Sequence, residues 1–562
     1  MRNKTLLMFS AWLFLICFST TAASQSTTTP ASKNPLRITG NLITQAETYF
    51  VKGIETTRQP FTFLTSGNFD PEIYGVKLPF SFLLSNRSFN FAQPFNRLGI
   101  SPEYKWLRLH FGYRNLSFSR YSLAGHTFLG GGIELNPGLL RLSALYGRFK
   151  KKTIPDNTVN PMDTLIAPMR YGYAVKLGVG NEKNFVDLIF MHIKDDTLGN
   201  YAMNTEQLLK PQANVVSGVN LKLTFIEKLV LESEFCLSFL TKDLHAAGIE
   251  EIGLGRFDQL AQMLTLNLSS SYSIAMRTAL NYTTPGFSGG VEYRRIEPDY
   301  SSFGAYFFNT DIENITVNIK TRLLDKKLSL RGNIGVQNDN LKNHKVSRSS
   351  RLIAMLTMQY NPTQIFSIDG SYSNYSINQK AGRLPLEDTI RLFQTNQTIN
   401  LMPRFMLAGE KIQQVIQLTL TRTDLTDRNI HTSGTNAITS DIAMLNYIVS
   451  VIPASLNINS GISYIGMTNS LASRKNYILM LGINKSFFKN KLNLGINASG
   501  GRSKVNEIQG KVVNASGSVL FKPLKKHGFK FFVYFQNNAY PETSAQKSYK
   551  EFKTNVSYVY SL

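Results

Sequence analysis

What most constrains this chain is an alternation of period two that returns, segment after segment, between short polar turns. From Leu492 the residues read Leu-Asn-Leu-Gly-Ile-Asn-Ala-Ser, so Leu492, Leu494, Ile496 and Ala498 share one face of an extended strand, with Asn493, Asn497 and Ser499 on the other. The apolar run Tyr477 to Ile483, ending in Phe487-Phe488, precedes it across Lys489-Asn490-Lys491, which reads as a hairpin with a polar tip. The same pattern sets Ile315, Val317, Ile319 and Leu323 against Asn318, Lys320 and Arg322, and Leu328, Leu330, Ile334 and Val336 against Ser329, Arg331, Asn333 and Gln337. It recurs in Tyr171, Tyr173, Val175, Leu177 and Val179 against Lys176, and in Val219, Leu221, Leu223 and Phe225 against Asn220, Lys222 and Thr224. So many half-apolar strands need a cover, either a second sheet or lipid.

The connections choose between these. Short polar turns are expected at Ser101-Pro102-Glu103, Asn136-Pro137-Gly138, Gly180 to Lys183, Glu227-Lys228, Asp325 to Lys327, Asn361 to Thr363, Gly409 to Lys411, Pro453-Ala454, Lys489 to Lys491 and Pro523 to His527. They recur about every 35 to 50 residues, the length of two strands of about ten residues and one long loop. The longer loops fall at Asp195 to Gln212, Thr241 to Gln262, Tyr375 to Thr395, Thr423 to Ser440 and Asn538 to Ser548. A sandwich has no reason to alternate short and long connections. A bacterial outer-membrane barrel does, with short turns in the periplasm and long loops outside. The expected fold is therefore all-β, a single large antiparallel transmembrane barrel over residues 36–562, with an even number of strands, about 22 to 26. Tyr282 to Asn314 reads as either extra strands or an external loop. Aromatic residues placed beside the short turns (Phe225, Tyr272, Tyr360, Phe487, Phe488, Phe521) suit an interfacial girdle.

Met1 to Ser24 reads as a secretory signal, with Arg2 and Lys4, an apolar run from Leu6 to Phe18, and small residues before Gln25. Ile16 stands where a lipoprotein signal needs a small residue before Cys17. Gln25 to Pro35 reads as a disordered leader. Loss of the signal leaves Cys236 as the single cysteine, so no intrachain disulfide is expected. The net charge is +24, and falls to +22 without Arg2 and Lys4. Export argues against nucleic acid as partner; a basic lumen, or loops facing lipid and lipopolysaccharide, accommodates the charge. An exported soluble β protein is the remaining alternative.

Leu78 to Phe82, Gln93 to Arg97, Gly112-Tyr113-Arg114, Leu123 to His126 and Tyr146 to Phe149 resemble segments of an uncharacterised Gram-negative outer-membrane β-barrel family of the Bacteroidota, as do Lys194 to Asp196 and Asn309 to Asn314. The terminal strand Val556 to Leu562 is similar to those that close outer-membrane proteins, though it ends in Leu562 where Phe or Trp is commoner. The resemblance implies a large barrel and no established activity, and no plug domain of the TonB-dependent kind is expected. Barrels of that phylum also serve type IX secretion and gliding, which leaves an accessory role, with a protein partner in the outer membrane, open by analogy.

No catalytic constellation is assigned. Gly286-Phe287-Ser288-Gly289-Gly290 matches a nucleophile elbow, but strand-like residues follow where a helix is required. Asp195-Asp196 and Asn338-Asp339-Asn340 lack the spacing of a calcium loop and read as solvated turns. The seven His residues are scattered, so neither a metal nor any other cofactor is expected. His126 reads as a packed turn residue. The residues assigned to the lumen are Lys176, Lys222, Glu232, Glu234, Lys320, Arg322 and Arg331. The reading is a porin-like or solute-binding channel with a basic polar interior; its alternative is a structural or secretion-associated barrel closed by loops or a partner.

Overall fold

The computed structural model describes residues 36–56, 58–86, 97–152, 168–196, 210–248, 265–306, 309–381, 391–429, 431–506, 508–541 and 547–562. The expected signal and leader, Gln93 to Asn96, and parts of the expected loops Asp195 to Gln212, Thr241 to Gln262, Tyr375 to Thr395 and Asn538 to Ser548 lie outside these residues. One antiparallel sheet runs from β1 (Leu36–Lys52) to β28 (Tyr549–Ser561), and these two pair with each other from Asn41↔Ser561 to Lys52↔Lys550, closing the ring. Closure removes both edges, so no row of backbone donors is left unpaired along an open strand.

Twenty-eight segments make 26 staves. β3 (Val76–Lys77) and β4 (Phe80–Ser85) lie end to end on β2 (Phe61–Ile73), and β5 (Arg97–Ile100) and β6 (Glu103–Tyr104) lie end to end on β7 (Leu107–Ser117). Each break holds a proline, Pro79 or Pro102, which has no N–H to give the ladder. Ser101-Pro102-Glu103 is therefore an interruption within a stave, and the turn itself is Lys105-Trp106.

Twelve connections of two to five residues lie at the rim that holds Leu36 and Ser561. Besides Lys105-Trp106, two were not expected. Tyr74 and Gly75 close a hairpin with φ of 49° and 83°, the left-handed pair of a two-residue turn whose usual first residue is Asn or Asp. Thr284 to Gly286 joins β14 (Ser270–Thr283) to β15 (Phe287–Ile296), so Arg294-Arg295 belong to a strand and Glu297-Pro298 begin the loop to β16 (Ile312–Leu323). Tyr282 to Asn314 thus holds both a strand and a loop. Connections at the opposite rim are mostly longer, but only residues 470–472 and 506–507 separate the strands of two hairpins there. Tyr272 stands at this loop rim, away from the short turns, whereas Phe225, Tyr360, Phe487, Phe488 and Phe521 lie at the turn rim.

Residues paired across strands project to the same side, so the registers sort the wall into two faces. The outer face carries Val179, Leu188, Ile334, Leu479 and Ile496, the last 69% exposed. Among the described residues, every buried apolar side chain except Tyr49 falls between Leu116 and Ile312. The core of this protein is a patch on the inside of one half of the ring.

Candidate functional site: a lumen with two unlike walls

The packed wall is built by two loops from the long-loop rim. Residues 118–123 leave β7 for β8 (Ala124–Leu135), and residues 297–306 leave β15 toward β16. Phe118, Tyr121 and Leu123 from the first, and Tyr300 and Phe303 from the second, pack on inward-facing Ala174 of β10 (Arg170–Gly180), Ile189, Met191 and Ile193 of β11 (Phe185–Asp195), Val216 of β12 (Ala213–Phe225) and Cys236 of β13 (Leu229–Thr241). Burying each large loop side chain contributes roughly 1.5–3 kcal/mol.

Hydrogen bonds hold the loops to each other and to the wall. Ala124 N–H donates to the Gly304 carbonyl (2.9 Å), Tyr300 O–H to the Tyr121 carbonyl (2.5 Å) and Ser302 O–H to the Ser122 carbonyl (2.5 Å). Asn214 is fully buried: its amide donates to Ser238 Oγ (2.8 Å) and the Phe239 carbonyl (3.0 Å) and accepts from Phe303 N–H (3.0 Å). A β-carbon on Gly304 would meet Met191 Sδ at 2.7 Å and the Ser122 carbonyl at 2.8 Å, so only glycine lets the two loops come this close. Desolvation pushes the Tyr121 phenol up to about 12 and the Tyr300 phenol well above its usual value.

Most of the charges on this wall are paired. Arg141 grips Asp187 (2.8 and 3.0 Å) and Arg170 grips Asp195 (2.7 and 3.0 Å), each through two parallel bonds. Arg277 lies between Glu292 (2.8 Å) and Glu232 (3.4 Å), and Lys222 reaches Glu232 at 3.4 Å. Glu234 meets Arg120 of the first loop at 3.4 Å and accepts from its backbone N–H at 3.0 Å. Lys176 Nζ lies 5.3 Å from the centre of the Phe118 ring. The structure thus places Lys176, Lys222, Glu232 and Glu234 in the packed half. Lys320, Arg322 and Arg331 form a separate group toward the turn rim, on β16 and β17 (Leu328–Asp339), where Lys320 and Arg331 are direct cross-strand partners. All three are exposed and make no salt bridge among the described residues. Arg404, not anticipated from sequence, shares their polar parity and donates to Ser367 Oγ at 3.1 Å.

The second wall is bare. On β22 (Ile438–Val451), β23 (Leu456–Asn469), β24 (Ser473–Phe487), β25 (Leu492–Val505), β26 (Ile508–Phe521) and β27 (His527–Ala539) the buried residues are few and small or polar, such as Ser463, Ser503 and Asn538. Among the described residues none of the buried apolar cluster lies on this face, and the Tyr540 ring of the β27–β28 connection covers it only at the loop rim, over Gly510.

The remaining motifs have structural partners. Ser288 lies on β15 with its Oγ 3.2 Å from Thr283 Oγ, and no helix follows. Asp195 is taken by Arg170, and Asn340 binds the backbone of Lys345 and Ser347. His126 stacks on Tyr306, with ring centres 4.3 Å apart. Among the described residues no group of three or more His, Cys, Asp or Glu side chains is placed to hold a metal ion.

No protein-family model and no curated protein sequence matches this chain. Among solved structures, the P pilus usher (PapC) translocation pore is 11% identical over 93% of this chain and 99% of its own, with a TM-score of 0.37. A chain of the E. coli P pilus tip assembly intermediate PapC-PapD-PapK-PapG is 12% identical over 95% of this chain and 62% of its own, at 0.44. OccAB2 of Acinetobacter baumannii is 9% identical over 63% and 92%, at 0.31. Similarity this low carries no weight for function, and the fold rests on the closed hydrogen-bonded ring itself.

Proposed function

We propose that this chain is a porin-like barrel of the bacterial outer membrane, with the short turns in the periplasm, which passes or binds small solutes through a polar lumen of weak anion preference. The closed ring with its apolar outer belt supports the membrane reading, since a sheet satisfies every backbone group in hydrocarbon only when it closes. The observation that carries the preference is the uncompensated group Lys320, Arg322 and Arg331, set against the paired charges of the packed wall. Lipid and lipopolysaccharide would contact the outer belt. Planar-bilayer conductance of the refolded protein tests the reading: stable channels favouring anions are expected, and a silent protein or a cation preference contradicts it.

The docked loops favour a second reading, a structural or secretion-associated barrel, such as an accessory of type IX secretion or gliding, whose lumen is narrowed by its own chain. Affinity capture from native membranes separates the two, because a stoichiometric protein partner belongs only to the second.

A further inference from the structure

The bare wall has a chemistry of its own. Asn459, Gly482, Asn497, Ser516 and Tyr534 are successive cross-strand partners on β23 to β27, so their side chains form one row around the inside. The next row toward the turn rim includes Asn484, Gly495, Ser518 and Phe532. Across the inner face of β22 to β27 the basic side chains are Arg474, near the opposite rim, and Lys530, one row nearer the turn rim than Phe532, and no Asp or Glu lies on it. Lys475, Lys485, Arg502, Lys504 and Lys511 all have the outer parity.

The two glycines are what shape the patch. The amide oxygens of Asn459 and Asn497 both occupy the space that a β-carbon on Gly482 would need, and Asn484 Oδ1 and Ser518 Oγ do the same over Gly495. Side chains from both neighbours therefore converge over each glycine and lie flat along the wall. The amides of Asn459, Asn484 and Asn497 make no hydrogen bond to any described residue, so each keeps two donors and an acceptor for a solute. Phe532 and Tyr534 place aromatic rings at the edge of this patch.

Between Arg474 and Lys530 this surface offers amides and hydroxyls and no full charge to pair with an ion. It suits a solute that offers uncharged hydroxyls along its edges, and rings beside it suit the C–H faces of the same solute. We propose that the inner wall of β23 to β27 is a binding track for a neutral oligosaccharide. This rests on the lumen being open to solute, as in the channel reading above, and adds a substrate class and a place to it.

The test is isothermal titration of the full chain in detergent with three neutral probes, maltohexaose, cellohexaose and xylohexaose, alongside bilayer conductance of the same preparation. At least one probe is expected to bind, and the double variant Asn459→Leu, Asn497→Leu should weaken it by roughly ten-fold or more through two lost hydrogen bonds. Asn497→Asp, which keeps the shape and adds a charge, should also weaken it, while Lys489→Gln, in the short turn between β24 and β25, leaves it unchanged. Failure of all three probes to bind overturns the proposal, as does undiminished binding by both asparagine variants. Conductance without sugar binding sinks the track alone, sugar binding without conductance sinks the channel alone, and loss of both sinks both.

Discussion

Asn214 and Asn497 are the same side chain on the inner face of the same ring, and their surroundings share almost nothing. Asn214 is fully buried, with its amide engaged by Ser238, Phe239 and Phe303. Asn497 is exposed beside Gly482 and makes no hydrogen bond to any described residue. The difference follows from what surrounds each on the wall. Where the inner face carries Ile189, Met191, Ile193 and Val216, water is a poor cover and the chain supplies its own in the form of two aromatic loops. Where it carries asparagine, serine and glycine, water or a solute suffices and no loop is needed. One half of the lumen is thus a small conventional core, and the other is a hydrogen-bonding surface.

Substitutions matched across the two walls sharpen or break this contrast. The largest effect is expected from Gly304→Val, whose branched side chain collides with Met191, Ser122 and Leu123. Both loops should come away from the wall, which appears as a rise in single-channel conductance; an unchanged conductance would mean that the loops do not narrow the lumen. Next is Asn214→Ala, which removes the buried hydrogen bonds to Ser238, Phe239 and Phe303 and should cost ~3 kcal/mol of stability, read from chemical unfolding in lipid vesicles. Reversing two cations, Lys320→Glu with Arg331→Glu, leaves stability nearly alone and moves ion preference from anions toward cations, measured as a reversal potential in a salt gradient. The smallest effect is Asn497→Ala, expected within about 0.5 kcal/mol of the parent because no protein partner is lost. A cost for Asn497→Ala equal to that of Asn214→Ala would erase the distinction between the walls.

Strand alternation and most of the short turns were legible in the sequence because period two and Gly, Pro, Asn and Lys signals are local. The turn at Tyr74-Gly75 was not, since a tyrosine in the left-handed region carries no turn signature. Proline at Pro102 misled in the other direction, breaking a stave where a turn was expected. At the site, residue parity placed Lys176, Lys222, Glu232 and Glu234 on the polar face, but nothing local could say that Phe118 and Arg120 would fold back onto Lys176 and Glu234. A trace of it was present: Phe118, Tyr121 and Leu123, then Tyr300 and Phe303, are more apolar than a loop in water requires. Their meeting depends on loops about 180 residues apart in sequence sharing one rim, which only the closed ring determines.

Thiol accessibility tests the unlike walls most directly, because Cys236 is the one cysteine outside the expected signal and lies fully buried under the first loop, 3.6 Å from Ser119 Oγ. A water-soluble, membrane-impermeant maleimide is applied to the protein in lipid vesicles, alongside Cys236→Ser carrying either Ser516→Cys on the bare inner wall or Ile496→Cys on the outer belt. The account predicts rapid modification at position 516, protection at 496 by lipid, and protection of Cys236 until the protein is unfolded. Modification of Cys236 in the native barrel as fast as position 516, or of position 496 in intact vesicles, would contradict it.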